Sequence, residues 1–360
     1  MNHLLKKQLN LLTVLRGPAA LLVFAFHILH NTQWTTWVPL ASMGYTGVSL
    51  FFVLSGFVLT WSYNPARSYK EFLVRRIARI YPLHLLMFCV AVLVPVTAYE
   101  FELLPALANL FLLQSWVPAW NYIFSMNAVS WSLSNELFFY VLTPVFLLWL
   151  SRPSLHKYLK YAMMIGLWGC ITLVAALIAR HSNFADVVVY SNPAARLGEF
   201  ILGMMSAKLT MRLCRTPRKA LTGFYALSSV VLFLAVLLIL SRLALQQTIS
   251  SIVVGPFAAF MIMALAVHET SSKKAYDTQI WRILVFAGEA SFAFYLIHEL
   301  VIINFAAILG REHTRVAGSL LALGTLVISA VLAVCAHQYI ERPCQKKIVS
   351  WTDRRKGAST

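Results

Sequence analysis

The chain has 360 residues, 59% of them hydrophobic and 12% charged, with a formal net charge of +17. Apolar runs recur along the whole length, which excludes a soluble domain and reads as an all-α, polytopic integral membrane protein. The basic excess does not point to nucleic acid, because it lies in short loops between apolar runs, the positive-inside pattern.

The spacing of those runs predicts ten spans, near 11–30, 43–62, 77–98, 127–150, 158–180, 193–211, 219–241, 248–267, 283–305 and 316–340. The first carries Arg16 near its start and His27 eleven residues later. Eleven steps of 100° make three turns plus about 20°, so the two side chains share a helix face, roughly 16 Å apart along it. Ionisable groups inside a membrane helix are costly and usually mark a functional path. The plainer reading is an Arg16 that snorkels to the inner surface and a His27 that is packed and hydrogen-bonded. Arg16 interrupts the apolar core and no A-x-A-like cleavage site follows, so this segment reads as a retained span rather than a signal peptide.

The second span contains GVSLFFVLSGF at 47–57, whose small residues suit close helix packing. The next loop and helix start read RRIARIYP at 75–82. Arg75, Arg76 and Arg79 partly share a face, and guanidinium groups at a helix start suit a multiply phosphorylated ligand. Taken alone, they suit a positive-inside anchor better, and no carboxylate partner is obvious for them.

The apolar stretch 102–116 is short for a span and is broken by Pro105 and Asn109. Counting it as a span would invert every later loop and put most of the basic charge outside. It is therefore expected to be a re-entrant or interfacial helix on the outer side, with both termini cytoplasmic. On that count Lys6, Lys7 and the basic residues at 67–79, 152–160, 208–219, 273–282 and 342–356 fall inside. Arg180, Arg242, Arg311 and Arg315 fall outside. Trp116, Trp120 and Tyr122, in the long outer loop, suit the membrane interface or stacking on a sugar ring.

The fourth span opens on WSLSNELFFY at 131–140. Glu136 there needs a partner or a water-filled cavity. A contact with His27 would orient the imidazole as a general base, whereas a buried ion pair with Arg196 would be purely structural. SFAFYLIH at 291–298 places His298 and Glu299 near the outer end of the ninth span, and Ser132, His298 and Glu299 are supporting candidates. The five cysteines (Cys89, Cys170, Cys214, Cys335 and Cys344) show no CxxC spacing, so neither a disulfide scaffold nor a metal site is expected. Serine-hydrolase, zinc-protease, P-loop and dinucleotide motifs are missing from the sequence. Residues 1–345 are expected to form one membrane-embedded domain, and 346–360 a basic polar cytoplasmic tail.

Arg16-x10-His27, the 47–57 run, RRIARIYP, WSLSNELFFY, SFAFYLIH and YIERP at 339–343 keep an order that resembles the membrane-bound acyltransferase family three. Members of that family acylate sugars of O-antigens, exopolysaccharides, Nod factors and some macrolides. Some carry a further SGNH hydrolase-like domain, for which the basic tail here is no counterpart. The resemblance implies an O-acyltransferase, and an acetyltransferase of a bacterial inner membrane is expected. It implies acyl-CoA as cytoplasmic co-substrate and, on the outer side, a hydroxyl of a cell-envelope glycan or lipid-linked saccharide. It also implies His27 as the catalytic residue, with Arg16, Arg75, Arg76 and Arg79 on the coenzyme; Glu136 is added here as the carboxylate that orients His27. The competing classes are a proton-coupled secondary transporter using His27, Glu136 and Glu199 as a relay, and a scaffold whose intramembrane charges only pair with one another. The lack of an inverted repeat speaks against the transporter.

Overall fold

The computed structural model describes residues 8–32, 39–94, 101–152, 156–214, 221–272, 278–310 and 314–357. Among them there is no strand. The helices are α1 (Asn10–Asn31), α2 (Pro39–Ser42), α3 (Thr46–Trp61), α4 (Tyr69–Leu93), α5 (Leu103–Leu110), α6 (Trp120–Ile123), α7 (Trp131–Ser151) and α8 (Lys157–Ala179). They continue with α9 (Asn183–Ser191), α10 (Pro193–Leu213), α11 (Thr222–Leu243), α12 (Gln247–Ser271), α13 (Gln279–Leu309), α14 (Arg315–Ala336) and α15 (Arg342–Gly357).

Each expected span coincides with one of these helices. Eight helical runs among the described residues are long and apolar enough to cross a bilayer. The two remaining spans are α3, with only 16 residues, and α10, which carries Arg196, Glu199, Lys208 and Arg212. Of the loop charges, Lys6, Lys7, Arg215, Arg218, Lys219, Lys273, Lys274 and Arg311 lie outside the described residues. The stretch 102–116 is no span: α5 has eight residues, about 12 Å of helix against about 30 Å of hydrocarbon. Leu103 and Leu104 on it are more than 60% exposed. The segment 346–357 of the expected tail is helical, as part of α15.

The described residues group into two compact units, with divisions inside α1, α7 and α13. The first is Met1–Val23, Val38–Tyr63 and Leu142–Glu289. Its centre is the crossing of α3 and α10, with α12 packed on both. Glycine is required there. A Cβ on Gly56 would lie 2.1 Å from the Phe200 carbonyl oxygen, and one on Gly203 would lie 2.0 Å from that of Val53. This is close membrane-helix packing through small residues. The buried Arg196 lies beside it. Its Nη2 donates to Ser49 Oγ at 3.0 Å and pairs with Glu199 Oε2 at 3.1 Å. Its guanidinium also covers the rings of Phe52 and Tyr190. Arg196 thus finds its carboxylate three residues along its own helix, which corrects the pairing with Glu136. The start of α1 is held by α12, where Glu269 accepts from the backbone N–H groups of Asn10 and Leu11 at 2.7 and 2.9 Å. The carboxylate fills the role of an N-cap for a helix whose own sequence supplies none.

The second unit is Phe24–Trp37, Asn64–Val141 and Ala290–Thr360. In it α15 packs along α4. The segment from Phe101 to Ser130 folds back on itself through buried amides: Asn109 Nδ2 donates to Ser125 O and Ser130 Oγ, and Gln114 Nε2 to Ser130 O. Tyr81 Oη of α4 donates to Leu110 O at 3.2 Å, and His84 Nε2 lies 3.0 Å from Asn109 O. These bonds fix the entry into α7.

Candidate active site

Nine residues are expected from the sequence to carry function. Arg16 lies on α1 in the first unit, and the other eight belong to the second. His27, near the end of α1, meets His298 of α13. Nδ1 of His27 is 2.7 Å from Nε2 of His298, and the rings stack with centroids 4.9 Å apart. Phe24 and Phe294, one turn before each histidine, pack on one another and flank the His298 ring.

The hydrogen bonds assign the protons. Nδ1 of His298 lies 3.2 Å from the Phe294 carbonyl oxygen, which can only accept, so this nitrogen carries the hydrogen. In the neutral ring Nε2 of His298 is then an acceptor, and the hydrogen between the two rings belongs to Nδ1 of His27. That leaves the lone pair of His27 on Nε2. His298 is fully buried, while His27 keeps partial exposure. One ring is a fixed second element and the other presents a basic nitrogen.

Three bonds lock α13 against the approach to α7. Tyr295 Oη donates to Ser132 Oγ at 2.9 Å, Glu299 Oε2 accepts from the Val129 N–H at 2.9 Å, and Asn127 Nδ2 donates to Leu296 O at 2.8 Å. Ser132 and Glu299 therefore act as braces around His298. Tyr295 and Asn127 are not among the residues expected from the sequence. Tyr295 is within reach of it, lying three residues before His298.

Glu136 is placed elsewhere. Its Oε2 accepts from Tyr140 Oη at 2.5 Å, and Arg76 of α4 feels both the carboxylate and the hydroxyl electrostatically. The expectation that Glu136 orients His27 is corrected: the ring bonded to His27 is His298. An i,i+4 tyrosine captures the carboxylate, and the arginines attract it. Among the arginines, Arg75 Nη2 is 2.5 Å from Asp353 Oδ1 on α15. Its Nε is 3.5 Å from Glu71, which also faces Arg67. Arg76 stacks on Phe72, and Arg79 acts on the field at Tyr140. The cluster therefore has carboxylates around it. Local sequence does not reveal the main one, because Asp353 is 278 positions away.

The sequence matches the acyltransferase domain family over residues 9–336. It is 31% identical over 375 aligned residues to the acyltransferase MdmB of Streptomyces mycarofaciens, covering 93% of this chain and 91% of that protein. It is 32% identical over 183 residues to the peptidoglycan O-acetyltransferase OatA of Listeria monocytogenes, covering 44% of this chain and 27% of that one. With the O-acetyltransferase OatA of Staphylococcus aureus it shares 26% identity over 373 residues, 92% of this chain and 56% of that one. The chain thus spans nearly all of the first relative and about half or less of the other two. No solved structure matches.

Proposed function

The chain belongs to the acyltransferase domain family, and from that premise we propose that it moves an acetyl group from cytoplasmic acyl-CoA to a hydroxyl on the outer side of the inner membrane of a bacterium. The acceptor is a cell-envelope glycan or its lipid-linked precursor. Membership in an enzyme family sets aside the transporter and scaffold readings.

The His27–His298 pair is the observation that supports this reading best. The reaction needs a base for the acceptor hydroxyl as it attacks the thioester carbonyl. Nε2 of His27 takes that proton, and the departing thiolate of the coenzyme is the leaving group. His298 holds the His27 ring in the tautomer that keeps Nε2 basic, the function that a carboxylate has in a Ser-His-Asp triad. Because His298 is a neutral partner, it supports the imidazolium less than a carboxylate would. Arg16, Arg75, Arg76 and Arg79 are assigned to the phosphates of the coenzyme, with Glu136 and Tyr140 setting the field around Arg76.

Mass spectrometry of surface glycan from cells with and without this protein tests the reading. Loss of O-linked acetyl groups with the gene supports it, and an unchanged acetylation pattern refutes the acceptor class. Equilibrium binding of acetyl-CoA to the purified protein tests the donor independently.

A further inference from the structure

A groove of about 460 Å³ runs along the first unit, remote in its chemistry from the histidine pair. Its floor is α10, from Leu202 through Met205 and Leu209 to Arg212, and its walls are α8 and α12. Nearly every group lining it is apolar. Ten residues of α10 rise about 15 Å, which is half of the roughly 30 Å hydrocarbon thickness and so the depth of one leaflet.

One end is different. Arg212 sits there with its guanidinium 4.7 Å above the Tyr161 ring, and Lys208 is one turn before it on the same helix. Among the described residues neither cation is ion-paired with a carboxylate. Two like charges at i,i+4 repel and destabilise a bare helix, so this arrangement suits a ligand that brings the countercharge. The end of the groove also presents Tyr158 and Tyr161, aromatic rings of the kind that sit at headgroup level.

We propose that this groove is a binding site for one anionic glycerophospholipid, with an acyl chain along α10 and its phosphate on Lys208 and Arg212. The length of the groove, its apolar lining, and Arg212 at one end with Lys208 beside it on α10 match the three parts of that ligand. A zwitterionic lipid carries its own ammonium beside the phosphate and gains less from the pair. A fatty acyl-CoA has a chain and phosphates too, but in the proposed reaction its phosphates belong to other arginines, so it should compete poorly here.

Native mass spectrometry of the full chain, released from detergent with equal phosphatidylglycerol and phosphatidylcholine, tests this. Preferential retention of one phosphatidylglycerol is expected. Replacing both Lys208 and Arg212 by Gln should cut that preference on the order of tenfold, since each basic residue near an anionic surface adds a several-fold factor. Met205→Trp should block the chain while leaving the cations in place, and the retained lipid should fall in that variant as well. Equal retention of the two lipids by the unmodified protein would overturn the proposal, whatever the variants do. Displacement of phosphatidylglycerol by stoichiometric palmitoyl-CoA would also overturn it, assigning the groove to the donor. So would undiminished preference in a folded Gln pair.

Discussion

Nδ1 of His27 and Nε2 of His298 lie 2.7 Å apart, and the one hydrogen between them fixes which nitrogen of His27 stays basic. Removing either ring should therefore affect chemistry more than donor binding. His27→Ala should abolish transfer by about 10²–10⁴-fold, the usual contribution of a positioned base, with acetyl-CoA affinity nearly unchanged. Glycan acetylation by membranes at saturating donor, alongside donor affinity, provides the measurement. Normal turnover in a well-inserted His27→Ala protein would remove His27 from the mechanism.

His298 should behave as a positioning residue. His298→Ala removes the acceptor for Nδ1 of His27 and lets the ring turn. His298→Gln keeps a donor and an acceptor at similar reach, so it should retain more activity than alanine. The ordering Gln above Ala in kcat, with the same KM for donor, is the signature. Equal loss in both would assign His298 to packing alone.

The arginines should govern the donor. Replacing Arg75, Arg76 and Arg79 together by Gln should weaken acetyl-CoA binding, and Lys should restore it only in part because it lacks the planar fork. Asp353→Asn releases Arg75 from its partner on α15. That pair is half-exposed at Asp353, so the gain in donor affinity should be at most about fivefold, the upper range for an exposed salt bridge. Isothermal titration of each variant separates these outcomes.

Glu136→Gln gives a further separation. The structure bonds Glu136 to Tyr140, and its charge acts on Arg76, so this variant should change KM for the donor more than kcat. A fall in kcat equal to that of His27→Ala would return Glu136 to the proton-transfer step.

Stability should depend on the α3–α10 crossing. Gly56→Ala or Gly203→Ala places a methyl about 2 Å from a backbone carbonyl, where no rotamer can yield, so a loss of about 1–3 kcal/mol or more is expected. Gly166→Ala and Gly324→Ala meet open space and should melt like the unmodified protein. Thermal unfolding in detergent is the test.

The helices are legible in the sequence because a span needs about twenty apolar residues, and few other arrangements produce that pattern. The rejection of 102–116 as a span follows from charge alone, and its eight-residue helix agrees. Partners across the bundle are harder to read. Position along a span gives depth but not which neighbour a helix face meets. Depth alone therefore pairs Glu136 with His27, although its own fourth neighbour Tyr140 takes the bond. His298 stands out in sequence only as a supporting candidate, since nothing local to SFAFYLIH points to α1. The Arg75–Asp353 pair is hidden for the same reason. The segment forming α15 reads as a polar tail because its charged residues leave no apolar run, yet it docks along α4.

The histidine pair also has a consequence for biogenesis. Its members are separated by 271 positions in the chain. At ribosomal elongation of roughly 5–20 residues per second, His27 enters the bilayer roughly 15–50 s before its partner exists. Through that interval α1 carries an imidazole with no ring to set its tautomer. A nascent or prematurely terminated product that stops before α13 would hold all four arginines assigned to the thioester donor, yet lack the ring that holds the base. Such a chain could sequester donor without cleaving it. Under the proposed function, synthesis order would keep incomplete molecules from wasting activated acyl groups, and chemical competence would arrive only with the penultimate span.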